Sequence, residues 1–70
     1  MVLPLPGEIY KHYKGGTYEV MTLCTHTETE EKLVIYRSLN YGSIYARPLS
    51  QWFDEIPLPG ILPKPRFALV

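Results

Sequence analysis

Five side chains carry the most useful chemistry in this chain: His26, Glu28, Tyr36, Arg47 and Lys14. Arginine presents a planar fork of donors that matches a carboxylate or a phosphate. Histidine donates or accepts near neutral pH, and a tyrosine hydroxyl does both. Brought together, these groups suit a small anion, a nucleotide or a peptide end. Arg47 would be the clamp, His26 and Tyr36 the orienting hydrogen-bonders, and Lys14 an outlying point charge. The plainer account is that Glu28 caps its own loop and pairs with Lys32 or Arg47, since polar hairpin ends are ordinarily solvated.

Four other constellations compete. Cys24 and His26 are two apart, hence on one face of a strand, and His12 would have to approach from elsewhere to make a metal site. Structural zinc usually takes four ligands at C-x₂₋₄-C or H-x₃₋₅-H spacings, which this chain lacks, so no metal and no cofactor is expected. Cys24 or Ser50 would need a base and an oxyanion donor to act as nucleophile. Cys24 sits among apolar neighbours that disfavour the thiolate, and Ser50 reads as a helix cap, so the chain is not expected to be an enzyme. Tyr10, Lys11, His12, Tyr13 and Lys14 interleave aromatic and basic groups, and Arg37, Tyr41, Tyr45, Arg47 and Arg66 add to them. That mixture is how small barrels stack and hold single strands. Finally, the apolar flanks Val2 to Leu5 and Ile61 to Pro63 offer surface for a protein partner or a second copy. The prolines form no PxxP motif, because no two of them are three apart.

These groups must be positioned by strands. Ile9 to Tyr13 reads as a first strand, closed by the Gly15-Gly16 turn. Thr17 to His26 is the longest, and neither of its faces is cleanly polar, which suggests a bend or bulge. The acidic loop Thr27 to Glu31 follows. Lys32 to Leu39 holds the run Leu33-Val34-Ile35-Tyr36, typical of a central strand. Ser43 to Arg47 is a fourth strand, ended by Pro48. If the second and third strands pair so that His26 faces Lys32, then Cys24 faces Val34, Thr22 faces Tyr36 and Val20 faces Ser38. One face then carries His26, Lys32, Cys24 and Tyr36, with Arg47 joining from the neighbouring strand. A slip of one residue would move the set to the other face.

Beyond Pro48 the period changes. Leu49, Trp52, Phe53 and Ile56 fall at helical spacing. With Ser50 as N-cap, one or two turns should dock Trp52 and Phe53 on the core. Residues 57 to 65, with four prolines, read as a surface loop, and Arg66 to Val70 as a closing strand. The fold expected is all-β with one short helical turn: a small, SH3-like, partly open barrel of about five strands. Its parts are a proline-containing arm (1–7), a barrel core (8–56) and a proline-rich loop with the closing strand (57–70).

Seventy residues make one domain with a small core, and a single cysteine excludes an internal disulfide. Seven basic and seven acidic residues balance, so no net field steers the chain toward nucleic acid or an anionic membrane. With no long apolar span and no secretory leader, the expected setting is the cytoplasm, without membrane contact.

Several short stretches also resemble one family. They are Tyr10-Lys11-His12-Tyr13-Lys14-Gly15, Tyr18-Glu19-Val20, His26-Thr27-Glu28-Thr29, Leu33-Val34-Ile35-Tyr36-Arg37, and Arg47-Pro48-Leu49-Ser50 with Phe53. In this order and spacing they resemble a small bacterial family of domains of unknown function, number sixteen-fifty-three. The resemblance covers roughly residues 8 to 56 and continues loosely to Phe67. It implies a compact bacterial domain and no particular activity. Cys24 and the proline-rich ends depart from the family's pattern. The reading is therefore an interaction module for a protein partner or a small anionic ligand. A single-stranded nucleic-acid-binding domain is the alternative.

Overall fold

The computed structural model describes residues 3–70, so Met1 and Val2 of the expected arm lie outside the described residues. Strands β1 (Ile9–His12), β2 (Thr17–Thr25), β3 (Lys32–Ser38) and β4 (Ile44–Pro48) are followed by a one-turn helix α1 (Leu49–Trp52). Strands β5 (Glu55–Leu58), β6 (Ile61–Pro65) and β7 (Phe67–Leu69) complete the chain. The main sheet is antiparallel with order β4-β3-β2-β1-β7, and β5 and β6 form a separate hairpin. The closing strand thus adds to β1 and does not reach β4, so the sheet is open, with β4 and β7 at its edges. The expected all-β chain with one short helix is observed; the ring of backbone hydrogen bonds that would close a barrel is not formed.

The central-strand reading of Leu33 to Tyr36 holds, because β3 lies between β2 and β4. The two ambiguous faces of β2 have a single cause. Val20 pairs with Tyr36 and Thr22 with Ile35, which leaves Met21 unpaired in a bulge. Tyr18 and Val20 face the core before the bulge, and Leu23 faces it after. Both residue parities are therefore apolar along one strand. The bulge also overturns the expected register. Lys32 pairs with Thr25 and not His26, Cys24 with Leu33, and Tyr36 with Val20. Cys24 consequently lies on the face opposite Tyr36.

The core face gathers Tyr10, Val20, Val34, Tyr36 and Phe67 beneath Trp52, all buried. Aromatic rings supply most of this area, which suits a sheet too short for a thick aliphatic core. Trp52 is delivered by α1, whose N-cap is Pro48, with no side-chain hydrogen bond. Ser50 is a helical residue and not the cap, and α1 stops at Trp52, so Phe53 is left largely exposed. The stretch expected as a loop, 57–65, is instead mostly hairpin. Gly60 takes φ +73° at its turn; the prolines lie in β5, in β6 and at the turn, which a two-stranded ribbon tolerates because both strands are edges. The arm also packs: Pro4 is fully buried, Gly7 N–H donates to Val20 O (2.8 Å) and Val20 N–H to Glu8 O (2.9 Å).

One turn sits close to the site. Gly16 has φ +86°, and a Cβ there would meet the Tyr18 ring and hydroxyl at 3.3 Å. Gly15 has φ +97° but faces open space. A left-handed non-glycine residue costs about 1–3 kcal/mol. Gly16→Ala should therefore lose at least as much stability as Gly15→Ala in urea unfolding, and it alone should also shift the Tyr18 ring signals in NMR spectra. Equal spectra for the two variants would mean that Tyr18 is not held against this turn.

Candidate functional site

Residues directly opposite in neighbouring strands share a face. Tyr45 pairs with Tyr36, Arg47 with Val34, Tyr18 with Tyr10, and Phe67 with His12. All therefore belong to the same concave face as the core. Trp52 covers one part of that face and leaves the rest open. The uncovered part is a cavity of about 210 Å³ lined by His12, Tyr18, Tyr36, Tyr45, Arg47 and Phe67.

Its walls are aromatic and mutually braced. Tyr36 meets Tyr18 edge-on at 5.5 Å between ring centroids and lies at 36° to Tyr45 at 5.6 Å. Phe67 stands edge-on to His12 at 5.0 Å and to Tyr18 at 5.8 Å, and stacks on Trp52 at 4.0 Å. The Arg47 guanidinium lies over the Phe67 ring at 5.9 Å. This contact joins β4 to β7, so the two edges meet through side chains although no backbone hydrogen bond links them.

The electrostatics of the cavity are one-sided. Among the described residues one ion pair is formed, Arg37 with Glu19 at 2.8 Å, and it joins directly opposed residues of β3 and β2 outside the cavity. Arg47 Nε and Arg66 Nε are buried without a hydrogen-bond partner. His12 feels the result. Burial, then the charges of Arg47, Arg66 and Lys14, hold its pKa below the usual histidine value. Its Nδ1 accepts the Lys14 backbone N–H at 3.1 Å, so the neutral ring carries its proton on Nε2. By contrast Tyr10, deeper in the core, is pushed up to about 12 by burial and by its hydrogen bond to Glu8. It stays neutral and structural.

The expected site residues separate into two groups. Tyr36 and Arg47 line the cavity, and Lys14 sits in the β1–β2 turn, its Nζ 5.7 Å from the Tyr13 ring centroid. His26 and Glu28 do not join them. They occupy the exposed β2–β3 loop, where His26 Nδ1 accepts the backbone N–H groups of Glu28 (3.2 Å) and Thr29 (3.4 Å). The loop is indeed self-capped, with His26 in the role expected of Glu28. Lys32 bonds Thr25 Oγ1 at 2.7 Å, and among the described residues Glu28 pairs with neither Lys32 nor Arg47. Four lining residues were not in the expected set: His12, Tyr18, Tyr45 and Phe67. The basic, aromatic stretch from Tyr10 to Lys14 already signalled His12. Phe67 arrives from the far end of the chain and gives no local signal. No group of three His, Cys, Asp or Glu side chains among the described residues is placed to hold a metal ion.

Comparison with known proteins bears on the whole chain. A family model described as "Protein of unknown function (DUF1653)" matches residues 8–69. The chain belongs to the DUF1653 family. The match runs past the core to the closing strand, so β5, β6 and β7 are part of the DUF1653 domain. This DUF1653 chain is also similar to a crystal structure of a DUF1653 protein from Bordetella bronchiseptica. The two share 36% identity with a TM-score of 0.81, over 94% of this chain and 86% of that one. No curated protein matches the chain. No helix among the described residues is long and apolar enough to cross a membrane.

Proposed function

We propose that this DUF1653 domain is a binding module for a small ligand that carries a carboxylate or phosphate next to a flat or apolar group. The observation that carries the reading is the Arg47 guanidinium, in no ion pair among the described residues, at the edge of an aromatic cavity with no acid in its lining. An anion in the cavity would meet the outer N–H groups of the Arg47 guanidinium, and the less buried Tyr18 and Tyr45 rings would take the apolar part. The three phenol hydroxyls add donors and acceptors that fix orientation. The curled sheet, bridged from edge to edge by Arg47 and Phe67, supports describing the scaffold as a partly open, SH3-like barrel. The free cysteine supports a reducing, cytoplasmic setting.

The test uses His12 as the reporter. An anion beside Arg47 offsets the positive charges that hold the His12 pKa down. Filling the cavity also buries His12 further, which acts the other way, and the expected net result is a rise because the phosphate charge faces the cations directly. The sign follows for stability too. A folded pKa below the unfolded one favours the fold above about pH 6.5 and erodes that gain as pH falls. Bound anion should soften the erosion. Titrating the protein with inorganic phosphate and with phenyl phosphate, and following both histidines by NMR, should raise the His12 pKa at lower concentrations of phenyl phosphate. The His26 signals, from the opposite end of β2, are the internal control. Parallel movement of both histidines, or none at His12, would remove the proposal.

A further inference from the structure

The charge balance of zero conceals a segregation that appears only in three dimensions. Seven basic residues are present: Lys11, Lys14, Lys32, Arg37, Arg47, Lys64 and Arg66. Arg37 is spent on Glu19, and Lys32 lies beside the acidic β2–β3 loop. The other five converge on His12. Arg47 lines the cavity already described, and Arg66 and Lys14 act on the His12 ring. Lys11 and Lys64 line a second cavity of about 290 Å³, together with His12, Tyr13, Pro65 and Ala68. His12 is common to both cavities. The two are therefore adjacent, one on each side of the β1–β7 edge, with cations on both.

We propose that the ligand crosses this edge and is a short single-stranded nucleic acid. The inference rests on the reading of the Arg47 cavity as an anion site. One base stacks on Tyr18 and Tyr45, one phosphate meets Arg47, and the following backbone passes His12 to Lys11 and Lys64. Alternating aromatic and cationic groups along a groove are the physical requirement for holding a single strand without reading its sequence. Charge complementarity selects this occupant: a phosphodiester chain repeats its anion at every nucleotide, as the two cavities repeat their cations, while a single small anion would leave the Lys11–Lys64 side unused. Asp54 and Glu55 lie at this end as well. Asp54 O accepts the Arg66 N–H at 2.7 Å and Glu55 pairs with Pro65. These two acids offset part of the five cations, so the affinity should be modest and strongly dependent on salt.

The experiment measures the binding of thymidine 5′-monophosphate, hexathymidylate and hexaglutamate to the full chain at low salt, by NMR titration and by anisotropy of labelled hexamers. Hexathymidylate should bind at least tenfold tighter than the mononucleotide. Its log K should fall with log salt with a slope of about −2 if three phosphates are neutralised. The double variant Lys11→Ala, Lys64→Ala should reduce hexathymidylate affinity to that of the mononucleotide. Equal affinity for the hexamer and the mononucleotide overturns the inference and leaves the anion site standing. Hexaglutamate binding as tightly as hexathymidylate also overturns it, in favour of an acidic protein partner. Failure of both nucleotides and of phenyl phosphate removes the two proposals together.

Discussion

Replacing Trp52 by alanine is expected to cost about 3–5 kcal/mol and to leave little folded protein. A chain of this size has about 4–10 kcal/mol of stability in total. Trp52 is fully buried, stacks on Phe67 at 4.0 Å with 7° between the planes, and meets Tyr36 and Tyr10 edge-on at 5.0 and 5.3 Å. It touches side chains from β1, β3 and β7, and it is carried by a helix of one turn that has no stability of its own. The indole thus holds α1 on the sheet and helps hold β7 against β3. Removing it leaves a cavity that α1, tethered by β4 on one side, cannot collapse to fill. Urea unfolding followed by circular dichroism reads the loss directly. Trp52→Phe, which keeps an aromatic ring against Phe67, should lose clearly less. If alanine costs under 1 kcal/mol, α1 is an ornament on the sheet and the concave face has another support.

The second large effect is at Arg47, where binding and stability should part company. Removing one member of a buried, hydrogen-bonded charge pair costs about 2–5 kcal/mol of binding. Phenyl phosphate affinity should therefore fall about 30-fold or more in Arg47→Met. In the free protein the guanidinium earns much less. Its Nε is buried with no partner, and its contact with Phe67 is a cation–π interaction at 5.9 Å, worth about 0.5–1 kcal/mol at an exposed site. Methionine keeps an apolar stem against Phe67 and removes the orphaned donor. The melting temperature should stay the same or rise. Loss of binding and of melting temperature in parallel would mean that Arg47 is a strut between the sheet edges and not a clamp.

These two residues also show how much could be read in advance. Leu49, Trp52 and Phe53 at helical spacing placed a turn after Pro48 and pointed Trp52 inward, and that is observed. Which of the two adjacent aromatics is buried depended on where α1 ended, a choice made by its packing on β3 and β4. Arg47 and Tyr36 stood out as candidate site groups from their types, and both line the cavity. Their supposed partners His26 and Glu28 do not, because one unpaired residue, Met21, changes the pairing of everything beyond it on β2.

Local alternation and turn chemistry account for five strands of the main sheet, the central place of β3 and the irregularity of β2, since these depend on neighbours within a few positions along the chain. The β5–β6 hairpin escaped notice because proline and glycine mark a loop and a two-edged ribbon alike. Long-range docking did the rest: β7 came to rest on β1, carrying Phe67 beneath Trp52 and beside His12, and five cations scattered from position 11 to position 66 gathered around His12. Register and sheet curl, which are set by the packing of the whole concave face, have no counterpart in the spacing of residues along the chain.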